Sequence, residues 1–535
     1  LVNPGYLWTL VPFFVFWTGA PFYVWYISQP VELSQTEVDE SDYLLLREYS
    51  RRTWFYFERW VTEKQSWLPP DNYQIDPPLT PADRTSPTNI GLALVANLVA
   101  YNRGYITYSE LLDRMENTLF SLEKLERYKG HFYNWYQTTM GEVLNPRYIS
   151  TVDSGNLVAG LIVAKEGIKA ASNSQPLNSG FWEGLKDTVR TVNKIFSKLE
   201  DECPGDDPCF REIKLVTSTI LDKIDGSNRS GLELLREIKE DATRLSAVDL
   251  LPLGSHYDDQ YMQDLRYWVE SPLNQLEKSI TEWKCLSVDS SIDPAEYTPE
   301  MLDTMVQEKS DNSQCVLLLK QWKAQTDQII SICEKLIDEM DFTFLYLKKR
   351  GLFSIGFNVD RSQLDKSTYD LLASEARIAS YIAIAKGDIP VEHWFRLSRR
   401  LTSLSRNEIL LSWGGTMFEY LMPLLFMKSI PETLMDHTYE NVVKWQQEYG
   451  KKNSKPWGFS ESAYYNLNLN MHYQYRAFGA PGLGLKRGLA DEYVVAPYAS
   501  LLSLSVDPVS SIKNLKRIEK KGGSGLYGFF DAIDF

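Results

Sequence analysis

Apolar residues recur at helical spacing through STYDLLASEARIASYIA, residues 367–383. Leu371, Leu372, Ile378, Ala379 and Ile382 fall on one stripe, which predicts a helix with a buried face. Glu375 sits in the middle of that stripe. A carboxyl so placed must find a partner, shift its pKa upward or face a cleft. Two readings follow. One is a structural ion pair, with Arg396 or an arginine from another helix. The other is a general acid, held protonated near neutral pH by its surroundings.

The same patterning organises the rest of the chain. Gly5–Ser28 carries no charge and is rich in Trp, Tyr and Phe, as expected of a membrane-spanning or membrane-lying segment over residues 1–28. Residues 29–85 read as a polar linker, an entry helix in LLLREYSRRTWFYFERWV and a Pro-rich loop. Ser86 is an N-cap with Pro87 at the first helical position, and Gly104 is a stop. Thr107 and Glu110 form a capping box for the next helix, to about Arg127. An aromatic loop and a hairpin around GEVLNPRYIS follow, and Asp153 or Ser154 caps a third helix. Repetition of helix, short turn, helix and long aromatic loop predicts an all-α fold, an α/α toroid with a few short β-hairpins, over residues 86–525. Residues from about 175 to 340 carry dense charge on helical spacing, as a helical insertion or an elaborated pair of barrel helices with solvated faces. Phe353, Ile355 and Phe357 alternate as a strand. SWGGTMFEYLMP, KPWGFSESAYYNLN and MHYQYRAFGAPGLGLKRGLADEYVVAPYAS read as rim loops and inner-helix ends.

Composition narrows the chemistry. A net charge of −15 over 535 residues repels phosphate backbones, so no nucleic-acid partner is expected. Aromatics make up 13% of the chain, including 15 Trp and 31 Tyr, enough for a bulky core or for a cleft that meets pyranose faces. Cys203 and Cys209 bracket CPGDDPC, either as a loop disulfide or as two free thiols. Neither the five cysteines nor the five histidines show metal-ligand spacing.

Glu461, in WGFSESAYY, lies between Trp457 and Phe459 on one side and Tyr464 and Tyr465 on the other. A carboxylate framed by aromatics suits a sugar subsite, or is a helix N-terminal charge after a Ser460 cap. Asp153 is an N-cap candidate. Glu419 is a helix-start partner or a sugar ligand. Asp360, Asp388, Asp491 and Glu492 are weaker candidates.

The motifs SWGGTMFEYLMP, LFSIGFNVD, YDLLASEARIASYIAIAKGDIP and WGFSESAYY, with TVDSGNLVAGL and SPTNIGLAL, together resemble the glucoamylase-like middle region of bacterial cyclic β-1,2-glucan synthases, over roughly residues 40–525. The resemblance implies an (α/α)6 barrel that cuts a linear β-1,2-glucan and rejoins the new end to the chain's own far end. One β-1,2 bond replaces another, so the anomer is retained, which needs a nucleophilic and an acid/base carboxyl. The two glutamates flagged by pattern fall in matching motifs: Glu375 is expected as acid/base, Glu461 as nucleophile. By motif position, Asp153, Trp413, Glu419, Tyr420, Trp457, Tyr464, Tyr465, Tyr473 and Arg476 are expected to contact sugar. No metal or organic cofactor is implied. The implied partners are linear β-1,2-glucan, the other domains of the synthase chain, and the membrane through residues 1–28. The implied setting is the bacterial inner membrane, with the catalytic domain in the cytoplasm. Two rival readings are an inverting endo-β-1,2-glucanase and a non-catalytic glucan-binding or scaffold region.

Overall fold

The computed structural model describes residues 5–28, 38–173, 180–202, 207–226, 232–255, 257–286 and 314–535. The chain packs as two units, Leu1–Asp39 and Glu40–Phe535. In the first, Gly5–Ile27 forms helix α1, with Pro12 and Pro21 inside it and Phe13, Phe16 and Trp17 exposed. Among the described residues no helix is long and apolar enough to cross a membrane, so the expected membrane span finds no support. The prolines, glycines, tyrosines and tryptophans of α1 lower its mean hydropathy.

The second unit is mostly helical, as expected. Its helices are α2 (Glu40–Trp60), α3 (Pro87–Asn102), α4 (Tyr108–Lys124), α5 (Thr151–Ser172), α6 (Phe181–Glu202), α7 (Pro208–Gly226), α8 (Leu232–Ser246) and α9 (Asp259–Leu286). They continue with α10 (Gln314–Glu339), α11 (Arg377–Ala385), α12 (Glu392–Arg396), α13 (Met417–Leu421), α14 (Leu434–Lys452), α15 (Pro497–Leu502) and α16 (Pro508–Glu519). The starts of α3 and α4 are those the sequence predicts: Ser86 accepts from the Asn89 amide, and Thr107 and Glu110 close a capping box. For α5 the cap is Ser150, not Asp153 or Ser154; its hydroxyl accepts from the Asp153 amide, so the aspartate side chain does not serve as the cap.

Helix α5 is the hub, packed against α3, α10 and α11. A Cβ on its Gly160 would lie 2.6 Å from the Gly91 Cα, so the α3–α5 crossing requires glycine. The charged stretch builds α6 to α10. Most of its charged residues face out, while Leu185, Val189, Val192, Trp268 and Leu336 enter the main core. Asp187 of α6 is buried and paired with Arg47 of α2 at 2.7 Å. Cys209 and Cys333 are buried free thiols, and Cys203 lies outside the described residues. Two buried histidines tie segments together. His131 Nε2 donates to the Asp341 carbonyl at 2.8 Å, leaving Nδ1 to accept from Ser154 Oγ at 2.9 Å. His393 Nδ1 donates to the Gly351 carbonyl at 3.0 Å and Nε2 accepts from Ser380 Oγ at 2.8 Å.

Short strands join the helices along this unit. Strand β1 (Tyr148–Ser150) pairs with β3 (Gly356–Asn358), and β2 (Leu352–Ser354) pairs with β4 (Thr368–Tyr369). The helix expected over 367–383 begins only at Arg377. Residues 368–369 belong to β4, and Leu371 bridges to Ser398. The apolar residues Leu371 and Leu372 are buried as predicted, but in an extended segment, from which Leu372 enters a second cluster with Ile409 and Phe459. Two further pairs complete the site: the hairpin β5 (Glu461–Leu467) with β6 (Tyr473–Ala477), and β7 (Val494–Val495) with β8 (Ile533–Asp534).

Candidate active site

Glu375 stands in the turn just before α11, not in mid-helix. That turn is built by Ser374, whose hydroxyl accepts from the Ala376 amide at 3.2 Å. Arg377, buried, ties it to the next loop by donating to the Glu419 carbonyl at 2.9 Å and the Ser374 carbonyl at 2.9 Å. The guanidinium thus serves backbone carbonyls. The expected partner Arg396 lies against Gly351 instead.

Glu461 opens β5. The adjacent Ser460 hydroxyl accepts from the Phe418 amide at 2.9 Å, and Tyr498 Oη bonds both Ser460 Oγ at 2.7 Å and the Glu461 carbonyl at 2.8 Å. The backbone of Glu461 is therefore fixed from three elements.

The two carboxyls belong to one acidic cluster. Burial is the largest influence on Glu375, followed by the negative charges of Glu461, Asp153 and Glu419; together they push its pKa well above the carboxylate range. The polar side chain of Asn156 acts the other way. Burial also leads for Glu461, followed by the charge of Glu419; the Tyr475 hydroxyl and the Lys486 ammonium oppose them, and the result is a pKa pushed up to about 7. Two buried carboxyls in one acidic cluster resist ionising together, so the arrangement favours one protonated and one ionised glutamate. Tyr369 of β4 faces both: burial and the charges of Glu375, Asp153 and Glu461 push its phenol well above its usual value, so it remains a neutral donor.

The other residues singled out by sequence divide into groups. Asp153 is in the cluster; its Oδ1 accepts from Thr88 Oγ at 2.6 Å and its Oδ2 from the Asn134 amide at 2.9 Å. Glu419 is also there but is committed to structure. It accepts from Ser412 Oγ at 2.9 Å and the amides of Gly414 at 3.0 Å and Thr416 at 3.1 Å, closing a capping box for α13. Trp413 is exposed beside it. Tyr420 and Trp457 are corrections to the expected sugar contacts: both are buried in the second core. Tyr420 Oη donates to the Leu410 carbonyl at 2.8 Å, and Trp457 packs with Tyr420 and Phe459.

Strand alternation sorts the hairpin. Ser462 opposes Arg476 and Tyr464 opposes Gln474, so Arg476 and Tyr464 lie on the face away from Glu461. Arg476 is paired with Glu492, and Tyr464 packs edge-on against Phe478. Tyr473 and Tyr475 share the Glu461 face, with Tyr465 tilted against Tyr473 at 6.2 Å between centroids. Asp360, Asp388 and Asp491 serve local structure: Asp360 accepts from the Arg147 amide, Asp388 lies 3.8 Å from Lys386, and Asp491 abuts Gly488. The sequence reading missed Tyr369, Tyr475, Lys486, Asn156 and Thr88. For Tyr475 a signal existed: YQY in MHYQYRAF has the period of a strand. Among the described residues no group of three or more His, Cys, Asp or Glu is arranged to hold a metal ion.

A mostly helical unit that buries a cluster of carboxyls can be compared with known proteins. Residues 367–535 match the Glycoamylase family, described as "Putative glucoamylase". The chain is 35% identical over 529 residues to the cyclic β-(1,2)-glucan synthase of Rhizobium meliloti, covering 98% of this chain and 18% of that protein's length. Its fold is similar to the endo-β-1,2-glucanase of Chitinophaga pinensis in complex with sophorotriose and glucose, with a TM-score of 0.53, 13% identity, and coverage of 93% of this chain and 87% of that one. It is also similar to a variant of the endo-β-1,2-glucanase of Talaromyces funiculosus in complex with β-1,2-glucan, with a TM-score of 0.53, 8% identity, and coverage of 92% and 79%. Residues 367–535 thus resemble a glucoamylase-like family, on a mostly helical fold. The chain is similar along nearly its whole length to one part of a cyclic β-(1,2)-glucan synthase.

Proposed function

We propose that the chain is a β-1,2-glucan transglycosylase that closes linear chains into rings with retention of the anomer. The observation that carries the catalytic part is the pair of buried glutamates in one acidic cluster, the pKa of Glu461 pushed up to about 7 and that of Glu375 well above the carboxylate range. Glu461 attacks the anomeric carbon, and its C–O bond forms as the glycosidic C–O bond breaks. Glu375 gives its proton to the leaving oxygen. The far 2-hydroxyl of the same chain then attacks the glycosyl-enzyme, returns a proton to Glu375 and frees Glu461. Tyr465, Tyr473 and Tyr475 offer ring faces to glucosyl units along the Glu461 side of the hairpin. The similarity to a cyclic glucan synthase favours ring closure.

By the same similarity, the other domains of a synthase chain would supply linear β-1,2-glucan to this one. The uncharged α1, with Phe13, Phe16 and Trp17 exposed, would lie on the bacterial inner membrane and keep the catalytic unit at its cytoplasmic side.

A second reading, an inverting endo-β-1,2-glucanase, is favoured by the likeness to glucanase folds. Reducing ends counted over time with purified protein and linear β-1,2-glucan separate the two. Constant ends, with products resistant to an exo-acting β-glucosidase, are expected; rising ends would establish hydrolysis. A non-catalytic scaffold would bind glucan and leave it unchanged.

A further inference from the structure

The outer half of the β5–β6 hairpin is fastened by a residue from a distant loop. Between Tyr464 and Leu467 the register slips, because Tyr464 opposes Gln474 while Leu467 opposes Tyr473. Such a bulge leaves ladder groups without a partner on the opposite strand. Two side chains from elsewhere take the amides there. Asp534 accepts from the Tyr465 amide at 2.6 Å, and Gln74 Oε1 accepts from the Tyr473 amide at 3.2 Å. Gln74 Nε2 also donates to the Met471 carbonyl at 2.8 Å. One side-chain amide thus bonds residues 471 and 473 of the same strand edge, as a residue of a neighbouring strand would.

Only one orientation of Gln74 serves. Its Nε2 gives one hydrogen to Met471 and the other to the Pro77 carbonyl at 2.9 Å, and both carbonyls can only accept. Turned over, Oε1 would face two carbonyls and Nε2 an N–H. The loop that carries Gln74 runs from α2 to α3 and is rich in proline, whose fixed φ limits its freedom. It is anchored on its own account. The Tyr73 ring packs on Trp60 at 4.8 Å between centroids, and Tyr56 Oη donates to the Pro70 carbonyl at 2.7 Å. Asp71 accepts from Asn89 Nδ2 at 3.2 Å in the first turn of α3, next to the Thr88 that bonds Asp153. The loop therefore reaches from the Asp153 side of the site to the hairpin that begins with Glu461. The hairpin's outer end lacks a core of its own: Tyr465, Leu469 and Met471 are exposed.

We propose that Gln74 is a positioning residue for glucan: standing in for a strand neighbour of Met471 and Tyr473, it sets where the hairpin's tyrosines lie relative to the Asp153 side of the site. The role rests on the proposed function, in which Tyr465 and Tyr473 meet glucosyl rings. Glu461 is at the other end of the hairpin, and its carbonyl is held separately by Tyr498 at 2.8 Å. Releasing Gln74 loosens the tyrosines and leaves the reacting carboxyls in place, so affinity falls and the chemical step does not.

The test compares Gln74→Met with Gln74→Glu, both of which keep the length of the side chain. Methionine makes neither bond, and an ionised glutamate turns an oxygen toward two carbonyls. Hydrogen exchange of residues 465–477, measured without glucan, is expected to quicken about tenfold in each variant. With linear β-1,2-glucan, KM is expected to rise about tenfold while kcat stays within about twofold of the parent. Calorimetric binding of the same glucan in the Glu461→Gln background reads the loss without turnover. Parent-like exchange in either variant overturns the proposal, and so does quickened exchange with an unchanged KM. A fall in kcat as large as the rise in KM also overturns it, since the tie would then act on the reacting carboxyls. If the parent chain neither binds nor turns over the glucan, the proposed function falls, and the exchange alone decides whether Gln74 holds the hairpin.

Discussion

Gly155 of α5 and Ala379 of α11 touch so closely that a Cβ on residue 155 would lie 2.5 Å from the Ala379 Cβ and 2.6 Å from its Cα. The crossing brings the turn that carries Glu375 against the first turn of α5, where Asp153 and Asn156 stand. Neither neighbour can yield cheaply, since two of the three nearest atoms are backbone. Gly155→Ala is therefore expected to force α11 outward, costing about 1–3 kcal/mol, and to cut turnover far more than the modest loss in stability would suggest. Urea unfolding and glucan turnover measured side by side check this. Equal activity in the variant would mean that the crossing does not set the position of Glu375.

The difference between what was legible in the sequence and what was not has a physical cause. Caps made by contiguous residues were readable: Ser86 with Pro87, and Thr107 with Glu110, stand where local spacing put them. The two glutamates were found because a carboxyl among apolar or aromatic neighbours is anomalous wherever the chain goes. The helix around Glu375 was misread because Leu371, Leu372 and Ile378 fit helical spacing, while the backbone at Leu371 bridges to the distant Ser398. Tyr420 and Trp457 were taken for sugar contacts because aromatic motifs do not reveal which ring faces the core. That Arg476 and Tyr464 lie on the face away from Glu461 is visible only once the hairpin is known, since a strand assigns alternate residues to opposite faces. Thr88 and Asn156, 68 residues apart, could not be joined by any local pattern.

The pH dependence of activity should carry the mark of Lys486. Its ammonium donates to the Ala477 carbonyl at 2.9 Å, on the strand opposite Glu461, and its charge favours the ionised glutamate. With Glu461 acting ionised and Glu375 protonated, activity rises through about pH 7 and falls at higher pH. Lys486→Met removes a stabilising charge, so Glu461 holds its proton longer. The acidic limb is expected to move upward by about one unit or less, with a larger loss of activity at pH 6 than at pH 8. The alkaline limb, set by Glu375, stays in place.

His131 predicts a separate effect on stability. Burial is the leading cause that holds its imidazole neutral, pushing its pKa from 6.5 down to about 4. The unfolded chain binds that proton more readily, so the contribution is fully present above about pH 6.5 and is lost as pH falls toward 4, by about 3 kcal/mol in total. The raised glutamates act in the opposite sense over part of this range, since they favour the folded state when protonated. The informative measurement is therefore a difference: urea midpoints of the parent chain and of His131→Gln, at pH 7.5 and pH 5. The parent is expected to lose more stability than the variant on acidification. Equal losses would mean that the imidazole becomes charged without penalty in the fold.

The strand that carries Glu461 has one edge on β6 and the other on side chains. Asp531 accepts from the Ala463 amide at 2.7 Å, and Asp534 from the Tyr465 amide at 2.6 Å. These residues alternate along β5, so the two aspartates take the bonds a third strand would have made. The segment that presents them is anchored independently: Val494 and Val495 pair with Asp534 and Ile533, and Phe529 stacks on Tyr49 at 4.0 Å. Ala463 lies two residues from Glu461, so losing its bond frees the strand next to the nucleophile, whereas losing the Tyr465 bond frees it further away. Asp531→Ala is expected to lower kcat about tenfold with KM changed little, which corresponds to about 1.4 kcal/mol of transition-state stabilisation. Asp531→Asn keeps an oxygen acceptor for the amide and should recover most of the rate. Asp534→Ala should weaken glucan affinity instead, because Tyr465 and Tyr473 lie on that part of the hairpin. If the alanine and asparagine variants at 531 were equally impaired, the negative charge would matter rather than the hydrogen bond. The strap would then act on the site through electrostatics and not through the position of the strand.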